Sequence, residues 1–368
     1  MIDTAGKPWR VVGVGFDHMH MGDQLSTVLE HAGAEIVGVS DTDAQRMGRV
    51  CDDLGIPVEV QFTDIDECLD VAEPDVVIVC STTAEHVTWV EKLAPRGVHI
   101  LLEKPFARSL AEADRMIVAM NGAERILSVN WPLAWYASHR TTARLIADGA
   151  VGDVVEVHYY DGNRGPLLHL HGKKEIDPGE TEQQEWWYSR AAGGGSLLDY
   201  LGYGVTLATW FRNGELPSAV TAVEHVPEGL EVDVHSVVIA SYERGLSTFQ
   251  TRWGTFTDPW THQPQPRCGF VVCGTEGTLS SWDYATSVRL QTRHRPEAGD
   301  IPVDDLPPHQ RNGIAFLLHQ LEAGEPVVGP TSWEISRSGQ RIVDTAVASL
   351  EGSRSVKILG TDQPERLT

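Results

Sequence analysis

Five short apolar runs, Arg10–Val14, Ile36–Val39, Val76–Cys80, His99–Leu102 and Ile126–Val129, constrain the first 130 residues more than any other feature. Continuous runs of this kind suit strands buried on both faces of a parallel sheet. Between them lie stretches with helical patterning, among them Ala84–Ala94 and Leu110–Met120. Ser109 is placed to cap the second, since its hydroxyl can accept from an orphan amide of the first turn. Gly97 sits where the first has to stop. Regular alternation of β and α elements predicts a doubly wound α/β domain over residues 1–130, with right-handed crossovers.

Beyond about residue 135 the texture changes. A helix near Ser138–Asp148 leads into GDVVEVHYYDG, whose apolar residues alternate like a strand with one wet face. Strand-like runs follow at Ala219–His225, His235–Tyr242, Leu246–Trp253 and Phe270–Cys273, separated by Gly, Pro and Asn. This predicts an α+β domain over residues 131–368 built on a large, mainly antiparallel open sheet. Helical stretches at Gly202–Phe211, Asn312–Ala323 and Ser332–Leu350 are available to cover one face of it. Two stretches, Gly162–Trp187 and Asp258–Arg267, read as long loops, which are often functional.

At 368 residues the chain suits two domains. With 52 acidic against 29 basic residues its formal net charge is -23. That charge repels phosphate backbones and anionic lipid, so neither nucleic acid nor a membrane surface is expected as a partner. The five cysteines show no CxxC spacing and suit reduced thiols in a cytoplasm. No apolar run approaches the ~20 residues of a spanning helix, and cytoplasmic localisation is expected.

The first apolar run ends in Gly13-x-Gly15-x-x-His18, in the strand-to-helix context of a dinucleotide fingerprint. Gly13 permits a tight turn, and Gly15 lets backbone approach a pyrophosphate at the helix N-terminus. Phe16, Asp17 and His18 complete the candidate cofactor turn. His18 replaces the usual third small residue, and a side chain there is expected to hold the helix away from the strand. Asp41 closes the second run, where a carboxylate accepts from ribose hydroxyls and repels a 2′-phosphate; this favours NAD over NADP. The alternative for Asp41 is a cap on the helix after it.

The fifth run leads into Glu103-Lys104-Pro105, and further on GGGSLLDYLGY places Asp199 and Tyr203 four apart, on one face if helical. In this order and spacing the two segments resemble the Gfo/Idh/MocA oxidoreductase family over essentially the whole chain. Cys80-Ser81-Thr82-Thr83-Ala84-Glu85-His86 is similar to the segment after that family's fourth strand, with Thr83 where proline is common. The resemblance implies a nicotinamide cofactor, a sugar, glycoside or cyclic polyol as substrate, and a homo-oligomer, dimer or tetramer. It also implies that Lys104 lies beside nicotinamide and substrate, Glu103 near the nicotinamide ribose, and Ser81, Thr82 and His86 on the cofactor side. Trp187 stands where relatives place an aromatic near the nicotinamide or sugar ring. Tyr203 takes the position of a commoner histidine, as in the glucose–fructose oxidoreductase and dihydrodiol dehydrogenase branches.

Oxidising an alcohol carbon requires a group that removes the hydroxyl proton. A free tyrosine, with a pKa of about 10, is a poor base at neutrality; an ammonium such as Lys104 beside it is expected to lower that value. Asp199 would orient the lysine or hold a second hydroxyl. In the Gly162–Trp187 loop, Arg164, His169 and His171 are candidate substrate contacts, the two histidines pointing the same way if that piece is extended. No third ligand has convincing spacing, so no catalytic metal is expected. Two alternatives remain: redox-neutral elimination or epimerisation through a keto intermediate, and a non-catalytic NAD-binding sensor.

Overall fold

The computed structural model describes residues 7–175 and 185–360. The first part alternates β1 (Trp9–Val14), α1 (His20–Leu29), β2 (Ala34–Ser40), α2 (Ala44–Leu54), β3 (Gln61–Phe62), α3 (Ile65–Ala72), β4 (Val76–Val79), α4 (His86–Leu93), β5 (His99–Glu103), α5 (Leu110–Gly122) and β6 (Leu127–Asn130). Its six strands form one parallel sheet in the order β3-β2-β1-β4-β5-β6. The continuous apolar runs have the predicted cause: Val11, Val12, Val76 to Val79 and Ile100 to Leu102 are wholly buried, with helices on both faces. Ser109 caps α5 by accepting from the Glu112 amide, and Gly97 adopts the left-handed conformation that ends the turn after α4.

The chain continues through α6 (Ala137–Ala147), β7 (Val154–Asn163), a short hairpin of β8 (His169–Leu170) and β9 (Lys174–Glu175), and α7 (Ser196–Phe211). There follow β10 (Ala219–His225), β11 (His235–Ser241), β12 (Leu246–Trp253), β13 (Gly269–Gly274), β14 (Gly277–Trp282), β15 (Ser287–Thr292), β16 (Arg295–Pro302), α8 (Gly313–Ala323), α9 (Trp333–Gly352) and β17 (Val356–Lys357). A nine-stranded sheet runs β16-β15-β14-β13-β7-β12-β11-β10-β17. Its pairs are antiparallel except β12 against β7, which is parallel. The sequence reading missed β14 to β16. Their segments are short and mostly polar, so the alternation that marks a half-buried strand is weak there.

Helices α7 and α9 pack on one another and cover the inner face of this sheet. A Cβ on Gly204 would come within 2.3 Å of the Tyr159 ring, so glycine is what lets α7 lie this close to β7. The stretch Asn312–Ala323 does not cover the second sheet, contrary to expectation. As α8 it returns to the first, where Ile314, Leu317 and Leu318 bury against Val11, Leu25 and Leu101. No helix among the described residues is long and apolar enough to cross a membrane.

Candidate active site

The turn after β1 is built by local backbone demands. Gly15 has φ +75°, and a Cβ there would lie 2.9 Å from the Ser81 backbone, so the turn closes onto the end of β4 only with glycine. Gly13 faces α1, where a Cβ would meet Met21 Sδ at 2.9 Å. His18 is not the spacer it was expected to be. Its side chain folds away from the strand into a cavity, edge-on to Trp187 at 4.8 Å and tilted against His20 at 4.3 Å. The His20 amide donates to His18 Nδ1, which leaves Nε2 as the protonated nitrogen, buried and without a partner. Burial, with the Lys104 ammonium nearby, holds the ring well below the usual imidazole range, hence neutral. A buried neutral N–H donor, at a tight turn opening a helix N-terminus, suits an anionic dinucleotide. The residues present therefore fit NAD.

Asp41 is buried at the end of β2, and it is not the helix cap. Asp43 caps α2, accepting from the Gln45 amide at 2.9 Å. Asp41 instead accepts from the amides of Phe16 at 2.7 Å and Asp43 at 2.8 Å, tying the glycine turn to the second strand. Arg46 lies beside it and pairs with Asp17. Burial, opposed by Arg46, pushes the Asp17 carboxyl up to about 6. Ser81 is buried under Gly15, and Thr82 is turned outward to Glu85 at 3.1 Å. His86 is buried with Nδ1 3.2 Å from the Phe106 carbonyl and lies outside the cavity lining.

A cavity of about 410 Å³ opens at the carboxyl ends of β1, β5 and β6, bounded on its far side by α7 and β7. Lys104 and Asp199 meet there. Lys104 Nζ donates to Asp199 Oδ1 at 2.6 Å, and Trp253 Nε1 donates to Oδ2 at 3.0 Å. The pair is 3% and 6% exposed, so little solvent screens it. Glu103 is held by His20 at 2.8 Å and by the Asn130 amide at 2.8 Å. His18, His20 and Glu103 bring potential metal-ligand atoms within 4.8 Å of one another, and His20 and Glu103 are bonded to each other.

Tyr203 sits one turn along α7 from Asp199, edge-on to Trp131 at 5.5 Å, with Lys104 Nζ 5.4 Å from its ring centre. The expected lowering of its pKa does not occur. Burial, reinforced by the carboxylates of Glu103, Asp199 and Asp161, holds the phenol well above the usual tyrosine range. Burial outweighs the Lys104 charge, which lies 5.4 Å from the ring centre and is paired with Asp199. Tyr203 is a neutral phenol lining the cavity.

The loop residues separate. His169 lines the cavity and bonds Asp258 at 3.0 Å, leaving Nδ1 buried and unpartnered. His171 bonds Asp53 at 2.9 Å and packs against Gly22 of α1, outside the lining. The two rings therefore do not point the same way. Only His169 and Leu170 are extended, and Gly172 turns left-handed immediately after. Arg164 is engaged with Asp258 and Glu175, also outside the lining. Trp187 lines the cavity, stacked on Trp186 at 3.8 Å. Residues 176–184 of this loop lie outside the described residues.

Sequence reasoning missed several lining residues, notably Asp161, Lys173, Tyr136, Tyr200 and Tyr284. Asp161 had a readable signal. Val157, Tyr159 and Asp161 share the inward parity of β7, so a carboxylate falls on the apolar face. Lys173 and Tyr284 had none. They come from separate loops, each with positive φ, and meet where the Lys173 ammonium lies 4.6 Å from the Tyr284 ring centre.

Residues 9–131 match the oxidoreductase family GFO_IDH_MocA, NAD-binding Rossmann fold, and residues 139–280 match the GFO/IDH/MocA C-terminal domain. The chain is similar to 1,5-anhydro-D-fructose reductase of Ensifer adhaerens, 27% identical over 80% of this chain and 83% of that one. Among solved structures, an inositol dehydrogenase homologue from Azotobacter vinelandii complexed with NAD+ superposes with a TM-score of 0.78 at 17% identity, covering 97% of this chain and 100% of that one. Aldose-aldose oxidoreductase from Caulobacter crescentus gives 0.75 at 21% identity, over 95% and 100%. With both family domains matched in order, and a glycine turn that fits its cofactor, the chain belongs to the Gfo/Idh/MocA family of NAD-binding oxidoreductases.

Proposed function

We propose that the protein is an NAD(H)-dependent dehydrogenase or reductase that interconverts a secondary hydroxyl and a ketone on a sugar, glycoside or cyclic polyol. The observation that carries this reading is the buried Lys104–Asp199 pair beside the neutral Tyr203 phenol, on one wall of a cavity at the carboxyl end of β5. The relatives named above act on or are named for sugars and inositols, which agrees with a cavity rich in hydroxyl, carboxyl and aromatic groups.

Gly13, Gly15, Phe16, Asp17 and His18 would hold the dinucleotide, with Asp41 toward the adenosine ribose and Glu103 and Trp187 toward the nicotinamide. Bound nicotinamide supplies the two-electron donor or acceptor. The protein's own residues handle the proton. Lys104 has three N–H donors, of which Asp199 takes one; the others have no partner among the described residues and would hold the reacting oxygen. In the reductive direction Tyr203 gives its proton to that oxygen, and the ammonium stabilises the charge that develops. Oxidation runs the same path backwards. We assign residues 1–130 to cofactor binding and 131–368 to substrate binding and assembly into a dimer or tetramer. Five free cysteines agree with a cytoplasmic protein.

A panel of sugars, glycosides and inositols with NAD and NADP, followed by absorbance of the reduced cofactor, tests the reading. Reduction of NAD by at least one member is expected. Substrate consumed without net NADH would replace it with the redox-neutral alternative, and a panel neither bound nor turned over would defeat it.

A further inference from the structure

Asp161 has the wrong company for a buried carboxylate. It is 6% exposed, lines the cavity, and its partners are neutral: hydrogen bonds come from the Tyr159 hydroxyl at 2.8 Å and the Gly162 amide at 2.8 Å, and the Cys268 thiol also lies against it. No cation pairs with it among the described residues. Two other acids face it, Asp199 from α7 and Asp283 from the turn after β14, but each has a basic partner. Asp199 is bonded to Lys104 at 2.6 Å and Asp283 to His139 at 2.7 Å. A buried carboxyl with neutral partners and like charges nearby takes up a proton. Burial, with Asp283 next, pushes Asp161 up to about 7.

A second observation points to a missing ligand. Tyr200 lines the same cavity, and its hydroxyl is buried with no hydrogen-bond partner among the described residues. A buried hydroxyl without a partner costs about 1–3 kcal/mol. Tyr159 and Gly162 both donate to Asp161, and the other contact of the Tyr159 hydroxyl, the Tyr200 carbonyl at 3.4 Å, is the longer one. The acidic proton of Asp161 is therefore left for the cavity.

We propose that Asp161 is a specificity-determining residue whose protonated carboxyl group donates a hydrogen bond to an oxygen of an uncharged polyol, with the Tyr200 hydroxyl as the second partner. This rests on the substrate class of the proposed function and narrows it. A carboxylate-bearing sugar would meet the carboxylates of Asp199 and Asp283 as like charges. An amino sugar would need Asp161 ionised against its burial.

The test is calorimetric titration of the NAD-bound protein with myo-inositol and methyl glucoside, and with their amino and uronate counterparts, across pH about 6 to about 9. Asp161→Asn keeps a donor, so neutral probes should bind within about threefold of wild type, whereas Asp161→Leu should lose about tenfold or more, the size of one or two hydrogen bonds. Wild-type affinity should fall as pH rises through the titration of Asp161, and the Asp161→Asn profile should be flat. The groups facing Asp161 are Asp199, Asp283, Tyr159, Tyr160, Tyr200, Tyr203, Tyr284 and Cys268; of these, the tyrosines are held above the usual tyrosine range and Cys268 well above the usual thiol range. If Asp161→Leu fails to fold, the asparagine variant and the pH series decide. Loss of neutral-probe binding in Asp161→Asn, or tighter binding of the amino probes by wild type, overturns the inference while leaving the proposed function intact. A wild type that binds no neutral probe defeats the substrate class itself.

Discussion

Replacing Lys104 by methionine removes an ammonium that is 3% exposed and leaves Asp199, 6% exposed, with Trp253 Nε1 at 3.0 Å as its remaining side-chain donor. Methionine fills nearly the same volume, so a cavity is not the main cost. The uncompensated carboxylate is. Breaking a buried pair by removing one partner typically costs about 3–5 kcal/mol, a large share of a total that is commonly about 5–15. For a chain of this length, 4 kcal/mol lowers Tm by about 5 °C. Asp199→Asn strands the ammonium instead and should cost a comparable amount. In the double variant no buried charge is left unpaired, so its loss should fall short of the sum of the two single losses, by a coupling of about 1–3 kcal/mol. Urea midpoints of the four proteins without cofactor measure the cycle, and turnover should fall by about 10²-fold or more in every variant that lacks Lys104. Additive stabilities would show that the 2.6 Å contact carries no special energy. Near-normal turnover in Lys104→Met would remove this lysine from the chemistry.

Two further predictions concern the same cleft. Tyr203→Phe should reduce turnover by about 10²-fold or more with cofactor affinity little changed; because the folded phenol is held well above its ordinary value, its proton stays on across neutrality, so the wild-type reductive rate should show no tyrosine limb at or below about pH 9. A limb near neutrality that vanishes in Tyr203→Phe would refute that. Calorimetry should find NAD bound more tightly than NADP, and Asp41→Ala should narrow the preference and weaken both, since Asp41 also anchors the Phe16 amide at 2.7 Å; equal wild-type affinities would mean that it serves only the turn.

The parts of the fold that were legible in sequence are those set by local rules. Gly15 needs positive φ, Ser109 needs its cap, and β1, β4 and β5 are apolar because both faces are covered. Lys104, Asp199 and Tyr203 could be joined because the Glu103-Lys104-Pro105 and GGGSLLDYLGY segments, in their order and spacing, resemble the family; the helix face shared by Asp199 and Tyr203 only agrees with that. What stayed hidden depends on long-range contacts. Burial and the carboxylates that other elements bring near it decide the state of Tyr203, and the segment itself does not reveal them. His169 and His171 look equivalent in sequence until Gly172 and the partners Asp258 and Asp53 send them apart. Helix α8 is as apolar as a helix covering the second sheet would be, and only packing shows that it belongs to the first.

Burial acts in two opposite ways within this one cavity, and the contact geometry decides which. Where a carboxylate meets an ammonium at 2.6 Å, as Asp199 meets Lys104, attraction offsets the loss of water and the pair stays ionic. Where the partners are neutral, as around Asp161 and Tyr203, the same loss of water keeps the proton on. The result is a wall on which neutral proton donors, Asp161 and Tyr203, stand beside a compensated ion pair, Lys104–Asp199. Such a wall matches an uncharged polyol, whose hydroxyls need directional partners rather than counter-charge. It also suits a chain with a net charge of -23, in which a locally acidic site would hold off the phosphates of the dinucleotide. Arg46, beside the glycine turn, is already paired with Asp17 and Asp41. We propose that the phosphates fall to the α1 N-terminus and the His18 N–H, donors whose placement is fixed by the fold and whose strength does not depend on the sign of the surface.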